Sequence, residues 1–409
     1  MKRLYKLENP VKHYRWGSPV WIPRLLGREN PHAEPWAELW MGAHPGGPSR
    51  IAGEGIGLDA LIAADAPRLL GADVCREFGA LPFLFKLLAA GAPLSIQAHP
   101  NLEQARAGWE RENRAGVPID AANRNYRDPN HKPEILCALS PFKALCGFRE
   151  PGEIRKRLNC FERELRRAPS LREQIAGLCL ALDAADPGAA LEQFTRGLLG
   201  LDEEVRGVLT AQAAENQEAL ERRAPEYAAE WRTVGNLASR YPGDPGILAP
   251  LYLNLLDLAP GEAVFLPAGV FHAYLEGFGV ELMANSDNVL RGGLTEKHID
   301  GEELIRVLRF APHKPAVRKA PEGEAAFVYP AECREFSLSR FLGDARPRAI
   351  PASGPRILLV TEGRARLSAG GETLILNQGE SAFAAPAEAP EGLTLTGDCA
   401  VYAAGAALG

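Results

Sequence analysis

The sequence predicts a mainly β protein that carries an α-helical insertion. Three features of its 409 residues support this class. In the first 150 residues, the apolar runs are short and bounded by proline and glycine. From about Glu153 to Glu230, the chain is rich in alanine, leucine, glutamate and arginine with helical periodicity. After about His313, short apolar runs separated by glycine turns return, which is typical of a β-sandwich or jelly roll.

The N-terminal region is predicted to contain short helices among strands and turns. We expect a helix at 58–66 that ends before Pro67, because proline restricts the residue preceding it. The apolar run 82–89 leads into a strand at 94–97. A second helix is expected at 101–116, with Asn101 as its N-cap.

The insertion is predicted to consist of several helices of ordinary length. Pro169, Pro187 and Pro225 mark the breaks between them. The region contains no histidine, and its carboxylates are interspersed with arginines as on a solvated helix face. We therefore expect it to lie outside the functional site.

Strands return after the insertion. They are expected at 251–258, 263–266 and 271–275, with His272 at the start of the last one, after the turn 267–269. The segment 260–267 is echoed weakly by 378–386, but the second copy has no histidine after its proline. This echo favours two jelly rolls, of which only the first bears a metal. The predicted division is 1–150 with 245–315 as the catalytic domain, 151–244 as the helical insertion, and 316–409 as a C-terminal jelly roll without metal ligands.

Composition and charge exclude several classes of function. A net charge of −6 and a pI near 5.9 give no support for binding nucleic acid or a membrane surface. No apolar stretch is long enough to span a bilayer, and the N-terminus lacks the apolar core of a signal peptide. Seven scattered cysteines without a C-x-x-C pair fit a reducing compartment. We expect a cytoplasmic monomer.

Three short stretches far apart in the chain together predict one metal site. They are Gln97-Ala98-His99-Pro100, His131-Lys132-Pro133-Glu134 and the segment 267–272, which ends in His272. Two imidazoles, one carboxylate and one amide oxygen suit zinc, with manganese or iron(II) as alternatives. Taken alone, His99 could be a hydrogen-bonded histidine and 131–134 a solvated loop, and glutamine is not among the usual zinc ligands. The turn at 267–272 is a better signal, because its glycine and proline can position His272 on a strand.

Longer motifs resemble those of one known enzyme family. These motifs are Leu81–Leu88 followed by Pro93–Asn101, Ala37–Pro45, Asn130–Glu134 and Glu281–Thr295. Together they resemble the type I phosphomannose isomerase family over the whole chain, most strongly over its first 300 residues.

The resemblance implies a fold, a reaction and a ligand set. It implies cupin-like jelly rolls with a helical insertion, and one Zn²⁺ per chain. The implied reaction interconverts mannose 6-phosphate and fructose 6-phosphate, a phosphosugar pair, through a cis-enediol. The implied metal ligands are Gln97, His99, Glu134 and His272, and the implied essential arginine is Arg291.

Several residues compete for the remaining roles. Lys132, Glu281 and Asp287 are alternative general bases, since a base needs a pKa near the working pH. His131 or His99 is a candidate for assisting ring opening. Arg291 suits a fixed cation near the enediolate, the alternative being a structural ion pair with Glu281 or Asp287. The substrate-binding candidates are Lys86, Ser95, Lys297 and Tyr274, although either lysine could simply be solvated.

Two other functions compete with an isomerase. An iron(II) oxygenase of the cupin type would normally use three histidines and a glutamate, whereas Gln97 replaces one histidine here. A non-catalytic sugar-binding protein with two cupin domains would be expected to have lost ligands or the arginine, and this sequence has lost neither. An isomerase is therefore the favoured function.

Overall fold

The computed structural model describes residues 2–165, 168–386 and 392–408. Residues 166–167 of the predicted insertion lie outside the described part, as do residues 387–391 and 409 of the predicted C-terminal jelly roll. Before the insertion, the chain forms strands β1 Leu4–Glu8, β2 Val11–Lys12, β3 Glu38–Met41, β4 Arg50–Ile51, β5 Phe83–Ala90, β6 Ile96–Ala98, β7 Glu134–Ala138 and β8 Phe142–Phe148. Its helices are α1 Trp21–Leu25, α2 Leu58–Ala64, α3 Ala66–Leu70, α4 Ala72–Phe78 and α5 Leu102–Arg114.

These elements agree well with the predicted local structure. The helix expected at 58–66 ends at Ala64, and Pro67 occupies the first turn of α3, where its missing N–H is not needed. Asn101 caps α5 as predicted, accepting from the Gln104 amide at 2.8 Å. The Gln104 side chain in turn accepts from the Asn101 amide at 2.9 Å, which completes a capping box.

The insertion is helical, as predicted. Its α-helices are α6 Pro151–Glu164, α7 Pro169–Ala181, α8 Pro187–Leu199, α9 Glu203–Arg223, α10 Ala228–Arg240 and α11 Ala249–Tyr252, with 3-10 turns at Pro225–Tyr227 and Pro245–Leu248. Proline starts α7 and α8 because the first helical residue has no intrahelical N–H bond to lose. The apolar faces of the insertion helices pack around Trp231 and against Ile96 and Phe271. The insertion therefore supports the strands that carry the site.

The rest of the chain is strand-rich. Its elements are β9 Leu253–Leu258, β10 Glu262–Leu266, β11 His272–Ala284, β12 Leu290–Gly293, α12 Gly301–Val307, β13 Arg318–Lys319, β14 Ala326–Tyr329, β15 Ser337–Gly343, β16 Arg348–Ile350, β17 Arg356–Ala369, β18 Glu372–Asn377, β19 Ser381–Ala384, β20 Leu393–Thr396 and β21 Cys399–Gly405. The runs 356–360 and 365–368, expected to be separated by a glycine turn, belong to the single strand β17. A bulge between Val360 and Glu362 bends it instead.

Two antiparallel sheets contain these strands. The site sheet runs β13-β10-β7-β11-β5-β3-β2. Strands β6 and β8 pair with β11, β12 pairs with β6, and β9 pairs with β8. The C-terminal sheet runs β14-β15-β21-β17-β19-β1-β4, with β16, β18 and β20 attached. The strand pairing departs from the predicted division, because β1 and β4 from the first 150 residues join the C-terminal sheet and β13 joins the site sheet. The division into three domains stays a prediction.

The core lies between the sheets and within the C-terminal sheet. Phe83, Phe85 and Leu87 of β5 pack with Ile357 and Phe383 of the C-terminal sheet. A separate aliphatic cluster, including Leu358, Leu367 and Leu395, fills the C-terminal part. Alternation along β5 turns Lys86 away from the core, toward the opposite face of the site sheet. That face carries the polar residues described next.

Candidate metal centre

The candidate metal ligands lie on adjacent strands of the site sheet. In the strand register, His272 of β11 is opposite Gln97 of β6, and Gln97 is opposite Arg291 of β12. Residues opposite each other in an antiparallel pair point to the same face. Glu134 begins β7, which pairs with the far end of β11, and His99 follows β6 directly.

A bulge in β11 brings its two ends to one face. The register with β8 shifts between Tyr274 and Glu276, and one extra residue reverses the alternation of side chains. His272 and Tyr274 before the bulge therefore share a face with Glu281 after it. Gly277, at φ +136°, lies just beyond the shift, and a Cβ there would meet Phe142 at 2.6 Å.

Two histidines and a carboxylate converge at one buried point. His99 Nε2 lies 3.5 Å from Glu134 Oε1, and His272 Nε2 lies 3.4 Å from Glu134 Oε2. The ligating atoms of all three residues lie within 4.8 Å of one another. Each side chain is at most 2% exposed. The structure thus brings together residues separated by up to 173 positions in the chain (272 minus 99).

The donor set fits a divalent cation. His99 Nδ1 lies 2.7 Å from the Asn288 carbonyl and His272 Nδ1 lies 2.9 Å from the Val270 carbonyl, so each Nδ1 donates and each Nε2 keeps a free lone pair. His99 Nε2 and Glu134 Oε2 are buried without a hydrogen-bond partner, which is costly unless an ion satisfies them. Donors about 2.1 Å from a shared tetrahedral ion would lie about 3.4 Å apart, close to the spacing found here.

Gln97 is placed to complete this set. Its Nε2 lies 3.5 Å from His272 Nε2. Since the amide oxygen and nitrogen are interchangeable by a rotation of the side chain, its oxygen can occupy the same position. A neutral amide beside two imidazoles and one carboxylate leaves the site a net positive charge when a divalent ion is bound.

Charges around the cluster oppose protonation of its ligands. Burial, and then the charge of Lys132, lower the pKa of His99 to about 4. Burial would raise the pKa of Glu134, but Lys132 and His99 hold it well below the ordinary value. Lys132 Nζ lies 2.8 Å from Glu134 Oε1. His99 and Glu134 are therefore in the deprotonated form that a metal requires at neutral pH.

A second polar group lies next to the cluster. Lys86 Nζ is 3.1 Å from Glu281 Oε2 and 3.5 Å from Glu38 Oε1, and all three residues are buried. Burial alone would lower the pKa of Lys86, but the two carboxylates raise it, so the ammonium is charged. Burial raises the pKa of Glu281. Tyr274, also buried, faces Glu281, and burial with this charge raises the pKa of its hydroxyl.

This placement bears on Lys86, one of the substrate-binding candidates, whose role in binding substrate stays a prediction. An ammonium that already pairs with two carboxylates is less available to a phosphate than an unpaired cation. The sequence could not show this pairing, since Glu38 lies 48 positions from Lys86 and was part of a motif to which no role was assigned.

Arg291 lies beside the cluster and has no ion-pair partner in the described part of the chain. Its side chain is half-buried, and it makes no hydrogen bond or ion pair with any described residue, so the alternative of a structural pair with Glu281 or Asp287 is not observed. Burial, and then the charge of Arg127, lower its pKa. Burial, with the charges of Arg291 and Arg127, also lowers the pKa of Lys297. Arg127, not singled out from the sequence, therefore joins a group of three close cations.

Asp287 and Ser95 are the remaining candidates. Asp287 is half-exposed, 3.6 Å from His44 Nε2. Ser95 directly precedes β6, and its hydroxyl makes no hydrogen bond with a described residue. Asn288, not singled out from the sequence, is fully buried and orders the approach to Glu134. Its amide donates to the Asn130 carbonyl at 2.9 Å, and its oxygen accepts from the Arg127 amide at 2.7 Å.

The fold and site define a mainly β metalloprotein with a buried two-histidine, one-carboxylate centre. The family model for the catalytic domain of type I phosphomannose isomerase matches residues 4–151. Mannose-6-phosphate isomerase of Escherichia coli K12 is 41% identical over 397 residues, which is 95% of this chain and 96% of the relative. The human enzyme of the same name is 37% identical over 369 residues, 83% of this chain and 82% of the relative.

Solved structures agree. A structure of mannose 6-phosphate isomerase from Salmonella typhimurium, bound to fructose 6-phosphate and zinc, is 38% identical and matches with a TM-score of 0.87 over 100% of both chains. A zinc-bound structure of mannose 6-phosphate isomerase matches with the same TM-score of 0.87, again over 100% of both chains. The chain belongs to the type I phosphomannose isomerase family, as the motifs predicted.

Proposed function

We propose that this chain interconverts mannose 6-phosphate and fructose 6-phosphate, with one zinc ion held by Gln97, His99, Glu134 and His272. The observation that carries the proposal is the buried His–Glu–His cluster, in a chain that matches isomerases of this name over nearly its whole length. When bound, the ion would supply Lewis-acid stabilisation of charge at the carbonyl and hydroxyl oxygens of the sugar.

The reaction moves one proton between neighbouring carbons. A base takes the proton from C2 of the aldose, and the same proton is delivered to C1 of the resulting cis-enediol, while the hydroxyl proton moves from O2 to O1. Of the three candidate bases, Glu281 is the one we favour, because its raised pKa and its place beside the cluster suit a group that both accepts and returns a proton. Glu281 is paired with Lys86, but Lys132 is paired with Glu134, which is itself a proposed metal ligand, and Asp287 is half-exposed.

Three cations that have no ion-pair partner among the described residues suit the phosphate end of the substrate. Arg127, Arg291 and Lys297 repel one another in the absence of an anion, and a phosphate dianion would relieve this repulsion. Arg291, next to Gln97 in the strand register, would lie nearest the reacting oxygens, and Arg127 and Lys297 nearer the phosphate. Ser95 and Tyr274 offer hydroxyls along the sugar.

The remaining parts of the proposal concern architecture and location. We infer that each sheet forms a cupin-like jelly roll and that the C-terminal one holds no metal, since its interior is filled by aliphatic side chains. We further infer a cytoplasmic monomer that binds no nucleic acid, in keeping with the net charge of −6 and the seven free cysteines. Within the described ranges, no helix has both the length and the apolar character needed to cross a bilayer.

A coupled assay tests the function directly. Mannose 6-phosphate should be converted to fructose 6-phosphate, chelation should abolish the conversion, and added zinc should restore it. Glu281→Gln should lose turnover and also the transfer of a deuterium label from C2 to C1, while still binding zinc. Activity that survives complete removal of metal would overturn the proposed function. An active Glu281→Gln variant would overturn the assignment of Glu281 as the base.

A further inference from the structure

The segment that carries Lys132 and Glu134 is held by two different parts of the chain. On one side, residues 284–288 hold its backbone: Asn288 and Ser286 donate to the Asn130 carbonyl at 2.9 and 3.1 Å, and the Ala284 amide donates to the Pro133 carbonyl at 3.1 Å. Between these anchors, the backbones of His131 and Lys132 make no hydrogen bond to any described residue. Their position therefore depends on their side chains.

The side chain of His131 is held from the C-terminal part. Its Nε2 donates to Glu335 Oε1 at 2.7 Å, and the two side chains are 25% and 18% exposed. Lys132, the next residue, has its ammonium on Glu134 instead. The two neighbouring side chains thus have different partners. His131 bonds to Glu335, outside the cluster, and Lys132 bonds to Glu134, within it.

Glu335 is itself fixed in place. Its other oxygen accepts from the Arg334 amide at 3.1 Å. Phe336, the next residue, is fully buried and packs edge-on against Phe265 of β10. In the strand register Phe265 is opposite Ile135, which follows Glu134. Residues 335–336 are therefore linked to this segment directly, through His131, and indirectly, through Phe265 on the strand that pairs with Ile135.

We propose that Glu335 is a positioning residue of the metal centre. Its bond to His131 holds residues 131–134 so that the Glu134 carboxylate stays between His99 and His272. Residues that orient metal ligands from outside the coordination sphere commonly change metal affinity when replaced. The inference rests on the proposed metal centre. It gives a role in that centre to the C-terminal part, whose described residues include none of the proposed ligands.

The test is the zinc dissociation constant of the full-length protein, measured by competition with a chromophoric chelator. Glu335→Ala should bind zinc about tenfold more weakly than wild type. Glu335→Gln should stay close to wild type, because its amide oxygen can still accept from His131. Glu332→Ala is the matched control, since Glu332 is an exposed glutamate on the same segment without a partner among the described residues, and it should bind zinc like wild type.

A double mutant separates this role from general stabilisation. His131→Ala should weaken zinc binding as Glu335→Ala does, and combining the two should add nothing further. Hydrogen exchange of the 131–134 amides should accelerate in both single variants. If Glu335→Ala fails to fold, His131→Ala carries the same test.

Three results would overturn the inference. The first is a zinc affinity of Glu335→Ala equal to that of wild type, and the second is unchanged hydrogen exchange of the 131–134 amides. The third is a loss of zinc-binding free energy in the double mutant equal to the sum of the losses in the two single variants. A wild-type protein that binds no zinc would overturn the metal centre itself, and the inference with it.

Discussion

Lys86 and Glu281 face each other across neighbouring strands, with the ammonium 3.1 Å from the carboxylate and both side chains buried. Glu38 approaches the same ammonium at 3.5 Å, and its second oxygen accepts from the Trp40 indole at 2.7 Å. One buried cation therefore pairs with two buried carboxylates. Such groups are costly to separate, because a charge left alone in the interior has lost its water without gaining a partner.

Replacing Lys86 should therefore cost stability as well as activity. Lys86→Met keeps the length of the side chain but leaves Glu38 and Glu281 unpaired, and it should lower the free energy of unfolding by about 3 kcal/mol. Lys143→Met is the control: Lys143 forms an exposed pair with Asp257, and its loss should cost about 1 kcal/mol or less. Denaturant titration measures both. Equal losses for the two variants would show that the buried pair is not the stabilising feature described here.

Arg291 should act on turnover and not on metal binding. Arg291→Ala removes an unpaired cation beside Gln97, and we expect kcat/KM to fall by about a hundredfold or more, with normal zinc content. Arg291→Lys should recover part of the loss, since it keeps the charge without the planar fork. Arg318→Ala, at an exposed arginine, serves as the control. Loss of zinc from Arg291→Ala would mean that the arginine is structural.

The sequence predicted the local structure and the separate motifs well. Proline positions predicted where α7 and α8 begin, and Asn101 predicted the cap of α5, because both signals act within a few residues. The ligand candidates came from short motifs and from the family resemblance, and the structure brings Gln97, His99, Glu134 and His272 together.

What sequence could not predict depends on strand pairing. Simple alternation would place His272 and Glu281 on opposite faces of β11, since they are an odd number of residues apart, and only the bulge near Glu276 puts them on one face. In the same way, the partners of Lys86 depend on the pairing of β5 with β3 and β11. The pairing of β1 with β19 joins residues almost 380 positions apart and left no local signal.

Metal should stabilise the folded protein measurably. A ligand that binds only the folded state adds about 2.7 kcal/mol when present at a hundred times its dissociation constant. We therefore expect thermal unfolding of the chelator-treated protein to occur several degrees lower than that of the zinc-loaded protein. His272→Ala should lose this difference, whereas His298→Ala, at an exposed histidine, should keep it. Identical melting with and without zinc in the wild type would contradict a built site.

The bond between His131 and Glu335 should make stability depend on pH in a defined direction. Burial alone would raise the pKa of Glu335, but the hydrogen bond and charge of His131 outweigh it and hold the pKa below the ordinary 4.5. A carboxylate whose pKa is lower in the folded state stabilises above its unfolded pKa, and this contribution is lost as the pH falls through the folded value. Compared with Glu335→Gln, the wild type should therefore be more stable by about 1 kcal/mol at pH 7. The difference should shrink as the pH drops below 4.5.

Urea unfolding of both proteins at a series of pH values measures this difference in stability, with Glu332→Gln as the variant expected to show no such trend. A difference that stays constant, or grows, toward low pH would rule out the charged form of Glu335 as the stabilising partner.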